Sequence, residues 1–426
     1  MEALILLGSF VIFFLLNIPI SFAIGMSTVL TILYNGKFPL SVVAQSMGTG
    51  VDSFPLMAIP FFMLAGIIMS EGGIGVRLID FASSLVGFVK GGLAMVTVVS
   101  NMIMAGMSGS SVADSSATGS VLIPAMQKKG YPLPFAVAIV ASASVIGIII
   151  PPSIPMVIYG VISGVSIGQM FLAGAIPGVL VGLSLMGVSY YYANKENYPR
   201  EEWGGFRKIW QEFKKSFFAL LMPVIILGGI IGGIMTPTES AAVAVIYAVI
   251  VGAFVYKELT IKKVPKILLE CLVGTASVMF LVSVASGFGW LLASEQIPQL
   301  LAKTILSIST NKYIVLLLIN ILLLFTGTFM DLTAALIILG PVLVPLIQNV
   351  GIDPIHFGII MTMNLGIGLV TPPVGVCLFV CCNIAKTTIT KVGRALLPVI
   401  AAMIVVLLIV SYVPSITMFL PKLIIK

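Results

Sequence analysis

Long runs of apolar residues, separated by short polar segments, follow one another along almost the whole chain. A helix needs about 20 apolar residues to cross a bilayer, and continuous runs of this kind favour an all-α integral membrane protein over a protein built from alternating strands. The predicted spans lie at about 3–34, 54–70, 77–100, 134–164, 169–193, 217–256, 266–293, 313–325, 356–385 and 394–413. The run 217–256 fits one tilted helix broken at Pro237 or two crossings, and the pattern leaves both open.

A pair of prolines interrupts an apolar run twice, at Pro151–Pro152 and 221 residues later at Pro372–Pro373. The same offset pairs further glycines and prolines, namely Gly106 with Gly327, Gly119 with Gly340, Pro124 with Pro345, Gly130 with Gly351 and Pro177 with Pro398. We therefore predict an internal duplication, with repeats at 1–193 and 217–426 that are inverted in the membrane. Matched Gly- or Pro-interrupted segments in two halves are the strongest sequence indication of a transporter's binding site.

The segment 194–216 joins the two halves and is far more polar than either. Its aromatic and aliphatic residues, Phe206, Ile209, Trp210 and Phe213, recur at helical spacing, with charged residues on the other faces. This pattern predicts an amphipathic arm lying on the cytoplasmic membrane surface.

A short segment rich in small and polar residues precedes each proline break. We predict that 101–127 and 322–349 fold as re-entrant helical hairpins, because each arm looks too short to cross and the tips permit a tight turn. In an inverted pair, the hairpins enter from opposite faces, and their tips meet near the midplane beside the broken helices.

Composition agrees with a membrane protein, since 59% of residues are hydrophobic, 9% are charged and the mean hydropathy is +1.19. The net charge is +7, and the basic residues form no pattern typical of nucleic-acid binding. Their distribution along the chain follows the positive-inside rule. With the N-terminus outside and an odd number of crossings in each half, the arm lies inside. The cluster Lys257–Lys266 is then the exception, placed outside and facing an acidic partner.

Each hairpin tip, together with the break that follows it, offers oxygen ligands for a hard cation. Freed carbonyls and hydroxyls at broken helices suit Na+. The first predicted Na+ site comprises Ser108, Ser110, Gly147, Ile150 and Pro152, and the offset of 221 gives a second site at Phe329, Asp331, Gly368, Thr371 and Pro373. The competing interpretation is that the serines only allow close helix packing.

The hairpin tips also present helix N-termini, which attract anions. The candidate substrate contacts are Ser111, Thr328, Asp52 and Asp114. For both aspartates the plainer alternative is helix capping, and capping is also the favoured interpretation of Glu239.

Enzymatic function has little support in the sequence. Gly106-Met-Ser108-Gly-Ser110 departs from the Gly-x-Ser-x-Gly pattern, His356 is the single histidine, and no Walker motif is present. We expect no cofactor, with Na+ as the coupling ion.

Five motifs in order resemble the large membrane subunit of tripartite ATP-independent periplasmic (TRAP) transporters. They are the runs Asp52–Gly66, Gly106–Asp114, Ile150–Pro155, Thr236–Glu239 and Thr371–Gly375. The resemblance implies Na+-coupled uptake of an organic acid across a bacterial inner membrane. A small four-helix membrane subunit and a periplasmic binding protein would be separate chains. It also implies an elevator-like movement of the hairpin domain, and the overall similarity is closest to sialic acid members, with C4-dicarboxylates next.

Two other readings compete with this one. A stand-alone Na+/dicarboxylate or citrate symporter of the same inverted-hairpin architecture would need no protein partner besides membrane lipid. An ion channel would not need two occluding hairpins, which makes it the weaker alternative.

Overall fold

The computed structural model describes residues 2–297, 299–300 and 311–424, and these residues contain helices and no strand. In the first half the helices are α1 (Glu2–Leu15), α2 (Ile20–Asn35), α3 (Ser41–Val51), α4 (Ala58–Glu71), α5 (Ile74–Val86), α6 (Gly92–Ser108), α7 (Ser111–Lys128), α8 (Leu133–Ser144), α9 (Ile154–Ser163) and α10 (Ile167–Lys195). They are followed by α11 (Gly205–Ile231), α12 (Pro237–Ile250), α13 (Val264–Ser294), α14 (Lys312–Phe329), α15 (Leu332–Asn349), α16 (Pro354–Gly368), α17 (Val376–Ile384), α18 (Ile389–Tyr412) and α19 (Ser415–Ile424).

The run 217–256 forms two antiparallel helices. Helix α11 ends at Ile231, and α12 begins at Pro237 and packs back along it. The Tyr247 hydroxyl donates to the Phe218 carbonyl at 2.7 Å, and the Tyr256 hydroxyl donates to the Lys215 carbonyl at 2.9 Å. The chain therefore returns at Tyr256 to the end of the bundle where α11 began.

The amphipathic arm is continuous with the helix that follows it. Helix α11 starts at Gly205 and runs through the predicted arm into the apolar half without a break. Phe206 and Trp210 expose 78% and 58% of their surface, as expected for rings that lie in a membrane interface. Helix α5 packs antiparallel beside this part, with the Ser216 hydroxyl donating to the Arg77 carbonyl at 3.0 Å.

One end of the bundle carries most of the described basic residues, and we call it the basic face. Two contacts between distant segments define it. The Tyr131 hydroxyl donates to the Pro199 carbonyl at 3.3 Å, and Lys266 Nζ donates to Glu71 Oε1 at 2.7 Å. The basic residues at this end are Arg77, Lys90, Lys128, Lys129, Lys195, Arg200, Arg207, Lys208, Lys214, Lys215, Lys257, Lys262, Lys263, Lys266, Lys386, Lys391 and Arg394.

The opposite end carries few of the basic residues that the structure describes. Of the lysines and arginines that the structure describes, three lie there: Lys37, Lys312 and Lys422. Lys37 pairs with Glu2 at 2.7 Å, and the Tyr412 hydroxyl donates to the Tyr313 carbonyl at 3.3 Å. The positive-inside rule therefore assigns the basic face to the cytoplasm.

The predicted placement of Lys257–Lys266 on the outer face is wrong. It assumed an odd number of crossings in each half, whereas α11 and α12 return the chain to the side where α11 starts. Arg77 pairs with Glu258 at 2.6 Å and lies over the Tyr256 ring at 4.2 Å, which ties this cluster to the basic face. The cluster follows the positive-inside rule after all.

Helices related by the offset of 221 run in opposite directions, as expected for inverted repeats. Helices α7 and α15 have matching ends, at Ser111 and Leu332 and at Lys128 and Asn349. Helix α7 runs towards the basic face, whereas α15 ends on the opposite face. The two hairpins, α6–α7 and α14–α15, therefore enter the bundle from opposite faces.

The helices form two packed groups. A scaffold group contains α1–α5 and α11–α13, in which α13 packs against α2, α3 and α4. A hairpin group contains α6–α10 and α14–α19, in which the two hairpins surround the broken helices α8–α9 and α16–α17. The groups meet where α4 and α5 contact α6 and where α13 contacts α15.

Two predictions of single spans are wrong. The spans 3–34 and 77–100 each contain two helices, with breaks at Asn17–Pro19 and Gly87–Gly91. The predicted span 313–325 is one continuous helix, α14, which is long and apolar enough to cross a membrane and forms the first arm of the second hairpin. The hairpin arms are 17 or 18 residues long, about 26 Å at 1.5 Å per residue, so they are longer than expected. Their re-entrant character lies in the packing of their tips, not in short arms.

Candidate functional site

The first hairpin turns at Gly109. Helix α6 ends at Ser108, Gly109 adopts the left-handed conformation at φ 60°, and Ser110 caps α7 by accepting a hydrogen bond from the Ala113 N–H at 3.4 Å. A Cβ on Gly109 would lie 3.0 Å from the Pro152 carbonyl oxygen. Glycine is therefore required here both for the positive φ and for the close approach of the tip to the broken helix.

The first broken helix has a carbonyl that lacks its usual donor. Helix α8 continues as a 3₁₀ turn to Ile148, and the cis-linked pair Pro151–Pro152 follows. Since proline has no N–H, the Gly147 carbonyl has no helical donor at position 151. The Ile148 carbonyl is satisfied by the Ser153 hydroxyl at 2.6 Å, and the Ile154 N–H donates to the Gly109 carbonyl at 3.5 Å.

The structure thus brings four of the five predicted residues of the first site to one tip–break junction. Gly147 faces the Ser110 backbone, with 3.7 Å from a Cβ position on Gly147 to the Ser110 carbonyl carbon. Ser108 lies beside them at the end of α6, and Pro152 meets Gly109. Ile150 differs, because its side chain packs on Gly178 of α10. Its backbone alone is available to a ligand.

Asp114 is the most informative side chain of this junction. It is fully buried, and neither carboxylate oxygen has a hydrogen-bond partner in the described part of the chain. A Cβ on Gly147 would overlap Asp114 Oδ2, so the carboxylate reaches the broken helix. Asp114 also lines a cavity of about 30 Å³ together with Ser108. The capping interpretation is wrong here, because Ser110 caps α7 and Asp114 lies four residues further on.

The second junction repeats this arrangement with looser packing. Helix α14 ends at Phe329, and Asp331 caps α15 by accepting from the Thr333 N–H at 2.9 Å. The Val374 N–H donates to the Thr328 carbonyl at 3.3 Å, which joins the tip to the break. The Thr371 hydroxyl donates to the Ile367 carbonyl at 2.7 Å.

Close backbone packing fixes the second hairpin. A Cβ on Gly368 would overlap the Gly327 carbonyl group, so position 368 needs glycine, and a Cβ on Gly327 would lie 3.3 Å from Gly368 Cα. In contrast to the buried first break, Asp331 and Pro373 are exposed, and Phe329 exposes 41% of its surface while its ring packs on Phe325. The two junctions therefore differ in access, although their sequences are related.

The predicted substrate contacts are scattered. Ser111 is buried at the first turn of α7, and the Thr328 hydroxyl donates to the Phe325 carbonyl at 2.8 Å. Asp52 lies on the scaffold group at the end of α3, and no side chain caps the turn that follows it, so the capping interpretation of Asp52 is wrong. Glu239 forms a capping box with Thr236, which confirms its predicted structural role.

A cavity of about 680 Å³ lies between the scaffold and the first hairpin. Its hairpin wall carries a stripe of hydroxyl groups that begins at the first junction: Ser108, Ser110, Ser116 and Ser120. Its scaffold wall carries Ser70, Glu71, Lys266 and Glu270, and so the cavity reaches the basic face. Sequence reasoning missed Ser116 and Ser120, although their spacing of four residues places them on one face of α7.

The opposite face has cavities of its own. One of about 560 Å³ is lined by Lys312, Asp353, Tyr412 and Lys422. His356 lines it too, but the ring is buried and hydrogen-bonded through Nδ1 to the Thr417 hydroxyl at 2.8 Å. His356 is therefore a structural link between α16 and α19.

The chemistry of both junctions favours a hard cation. Among the described residues, no group of three His, Cys, Asp or Glu side chains could hold a metal ion. Hydroxyl and carbonyl oxygens with one carboxylate are the available donors, namely Asp114 behind the first junction and Asp331 at the second. Such an all-oxygen set suits Na+ better than a transition metal.

Comparison with known proteins agrees with this architecture. Residues 7–416 match the family model described as the tripartite ATP-independent periplasmic transporter, DctM component. The isethionate TRAP transporter permease protein DctMQ of Oleidesulfovibrio alaskensis is 45% identical over 416 residues, which are 97% of this chain and 66% of that longer protein. The sialic acid TRAP transporter large permease protein SiaM of Vibrio cholerae is 41% identical over 407 residues, covering 96% of this chain and 95% of SiaM.

A solved structure shares the fold. The YdaH transporter of Alcanivorax borkumensis superposes with a TM-score of 0.61 over 87% of this chain and 86% of its own, at 16% identity. At that identity the likeness concerns the fold alone.

Proposed function

The chain belongs to the DctM family of tripartite ATP-independent periplasmic transporters, and we propose that it couples uptake of an organic acid anion to Na+ entry. As a large permease subunit it is a transporter and not an enzyme. The family implies a small membrane subunit and a periplasmic binding protein as partners. We place the complex in the bacterial inner membrane, with the basic face towards the cytoplasm.

The observation that carries the Na+ proposal is the buried, unpartnered carboxylate of Asp114. An unpaired charge inside the membrane is costly, so it must be protonated or balanced by a cation. Beside it, the Gly147 carbonyl lacks a helical donor, and the Ser108 hydroxyl lies at the hairpin tip. A Na+ ion at this junction would balance the carboxylate and use these oxygens as ligands.

For the substrate we propose sialic acid first and a C4-dicarboxylate next. The cavity beside the first hairpin has a volume of about 680 Å³, within the usual range of small-molecule sites. Its row of serine hydroxyls suits a polyhydroxylated acid, which needs many hydrogen-bond partners. The relatives themselves are named for isethionate and for sialic acid at similar identity, so the cavity, and not the percentage, supports this order.

For the mechanism we propose that the hairpin group moves as a body against the scaffold, as in an elevator. Each hairpin tip is hydrogen-bonded to its own broken helix, so a junction can move without losing its ligands. The groups meet mainly where α4 and α5 pack on α6 and where α13 packs on α15, with smaller contacts of α4 with α9, α5 with α7 and α11 with α6. The cavity reaching the basic face corresponds to an inward-open position.

The test is uptake of labelled sialic acid by proteoliposomes that contain this chain, its small membrane partner and the binding protein. We expect uptake to require both an inward Na+ gradient and the binding protein. Uptake of succinate in place of sialic acid would keep the mechanism and change the substrate. Uptake without the binding protein would favour the stand-alone symporter, and uptake indifferent to Na+ would overturn the coupling.

A further inference from the structure

Lys266 is the one cationic side chain, among those the structure describes, that lines the cavity of about 680 Å³. It lies in the first turn of α13, on the scaffold wall, and its side chain is 69% exposed. Across the cavity stand Ser116 and Ser120 on the hairpin wall. An anion that leaves the hairpin tip towards the basic face therefore passes hydroxyl groups and meets a single positive charge.

The ammonium group of Lys266 already forms an ion pair with Glu71. Lys266 Nζ lies 2.7 Å from Glu71 Oε1, and this carboxylate is 25% exposed at the end of α4. Lys263 holds the same residue in place, since its Nζ donates to the Glu71 carbonyl at 2.8 Å. The ion pair joins two scaffold helices, so it does not depend on the position of the hairpin group.

The charges around Lys266 suit brief occupancy by an anion. Glu270, one helical turn further along α13, also lines the cavity, and Lys263 Nζ lies 3.7 Å from Glu71 Oε2, so Glu71 keeps a second cationic partner when Lys266 binds another anion. An exposed pair of this kind contributes little free energy because solvent screens it. A carboxylate from the substrate can therefore exchange with Glu71 at small cost, and Glu71 can displace it in turn.

We propose that Lys266 is a transient anion site at the cytoplasmic mouth, where the substrate carboxylate and Glu71 alternate on one ammonium group. This inference rests on the proposed transport of an organic acid. The exchange provides an intermediate position between the cavity and the cytoplasm, which a departing anion and an anion rebinding from inside both use. The site differs from the tip–break junctions, because it belongs to the scaffold and lies at the membrane surface.

The experiment measures trans-inhibition in proteoliposomes of the whole tripartite complex. Unlabelled sialic acid is placed inside at increasing concentration, and the concentration that halves the initial uptake rate is determined. We expect Lys266→Gln to raise this concentration by about fivefold, the scale of one solvent-screened charge. Glu71→Gln leaves the ammonium free for the substrate and should lower it by a similar factor.

The controls separate charge from structure. Lys266→Arg keeps the positive charge and should resemble the wild type, whereas Lys262→Gln removes an exposed charge of the same cluster that does not line the cavity. The external concentration for half-maximal uptake should stay unchanged in the Lys262→Gln control. Unaltered trans-inhibition in both Lys266→Gln and Glu71→Gln would overturn the anion site while leaving transport intact. Absence of uptake of sialic acid and succinate by the wild type would instead overturn the proposed function.

Discussion

Each tip–break junction has one carboxylate, and the two junctions differ in its position. In the first half it comes from Asp114, one turn into the second hairpin arm, and it is fully buried. In the second half it comes from Asp331 at the tip, where it caps α15 and is exposed. The offset of 221 relates Asp331 to Ser110 and Asp114 to Ala335, so each junction keeps one acid but at a different position.

We predict that Asp114→Asn raises the Na+ concentration for half-maximal uptake by about tenfold. Loss of a charged ligand costs about 1.5–3 kcal/mol in interactions of this kind, which corresponds to a factor of ten or more. The amide keeps the volume of the side chain, so the yield of folded protein should change little. The measurement is Na+ activation of uptake in proteoliposomes.

Asp52→Asn is the matched control for this prediction. Asp52 lies on the scaffold group, outside both junctions, and its neutralisation should leave Na+ activation as in the wild type. Equal Na+ activation of the Asp114→Asn variant and the wild type would remove Asp114 from the proposed cation site.

At the residue scale, the repeated positions could be predicted from sequence, but the role of Asp114 could not. Pairing each hairpin tip with the break that follows it predicted that Ser108, Gly147 and Pro152 lie together, and the structure has them at one junction. Choosing between Ser110 and Asp114 as the cap of α7 required knowing at which residue the helix begins. The boundary also decides whether the carboxylate lies at the end of the helix or one turn inside it, and the sequence alone does not determine that boundary.

At the scale of elements, tight glycine packing holds the second hairpin to its broken helix. We predict that Gly368→Ala destabilises the protein by about 1–3 kcal/mol, the usual cost of overpacking a filled interior. The reason is that the new methyl group would overlap the Gly327 carbonyl, and backbone on both sides leaves no flexible side chain to yield. Thermal unfolding of the purified protein in detergent provides the measurement.

Gly393→Ala offers the comparison, since this glycine lies in α18 and a Cβ there would meet nothing within 4 Å. It should be neutral or slightly stabilising, because alanine is the better helix former. Equal unfolding temperatures for the two variants would contradict the close packing of Gly327 on Gly368.

The turn between α11 and α12 shows where an apolar pattern stops being informative. The residues Gly232, Gly233 and Pro237 do indicate a break, and the capping box at Thr236 marks the new helix. The hydrophobic pattern, however, does not distinguish a kinked helix from a hairpin, because the turn itself contains an apolar residue, Ile234. This side chain is 80% exposed. Only the pairing of α11 with α12 decides the direction of the chain.

At the scale of the whole molecule, the turn between α11 and α12 decides which charged residues share a face. With α11 and α12 antiparallel, the arm, the cluster Lys257–Lys266 and Arg77 share one face. A cytoplasmic basic face therefore excludes the acidic partner on the outer side that the sequence suggested for Lys257–Lys266. In that orientation the end that carries Lys312 and Lys422 is the outer surface.

We predict that the lysines of the two ends are accessible from opposite sides of the membrane. A membrane-impermeant maleimide applied to intact cells should label a cysteine introduced by Lys422→Cys but not one introduced by Lys208→Cys or Lys262→Cys. The last two should react only after the membrane is opened. All four native cysteines are buried, which keeps the background low.

The two variants on the basic face, Lys208→Cys and Lys262→Cys, are matched controls for each other. Lys208 precedes α11's apolar half and Lys262 follows α12, so two crossings give them the same accessibility whichever way the protein is oriented. A single crossing would give them opposite accessibility. Labelling of Lys262→Cys in intact cells while Lys208→Cys stays protected would therefore reject the antiparallel pair. It would also overturn the cytoplasmic position of Lys266 and the proposed alternation of the substrate carboxylate and Glu71 on it.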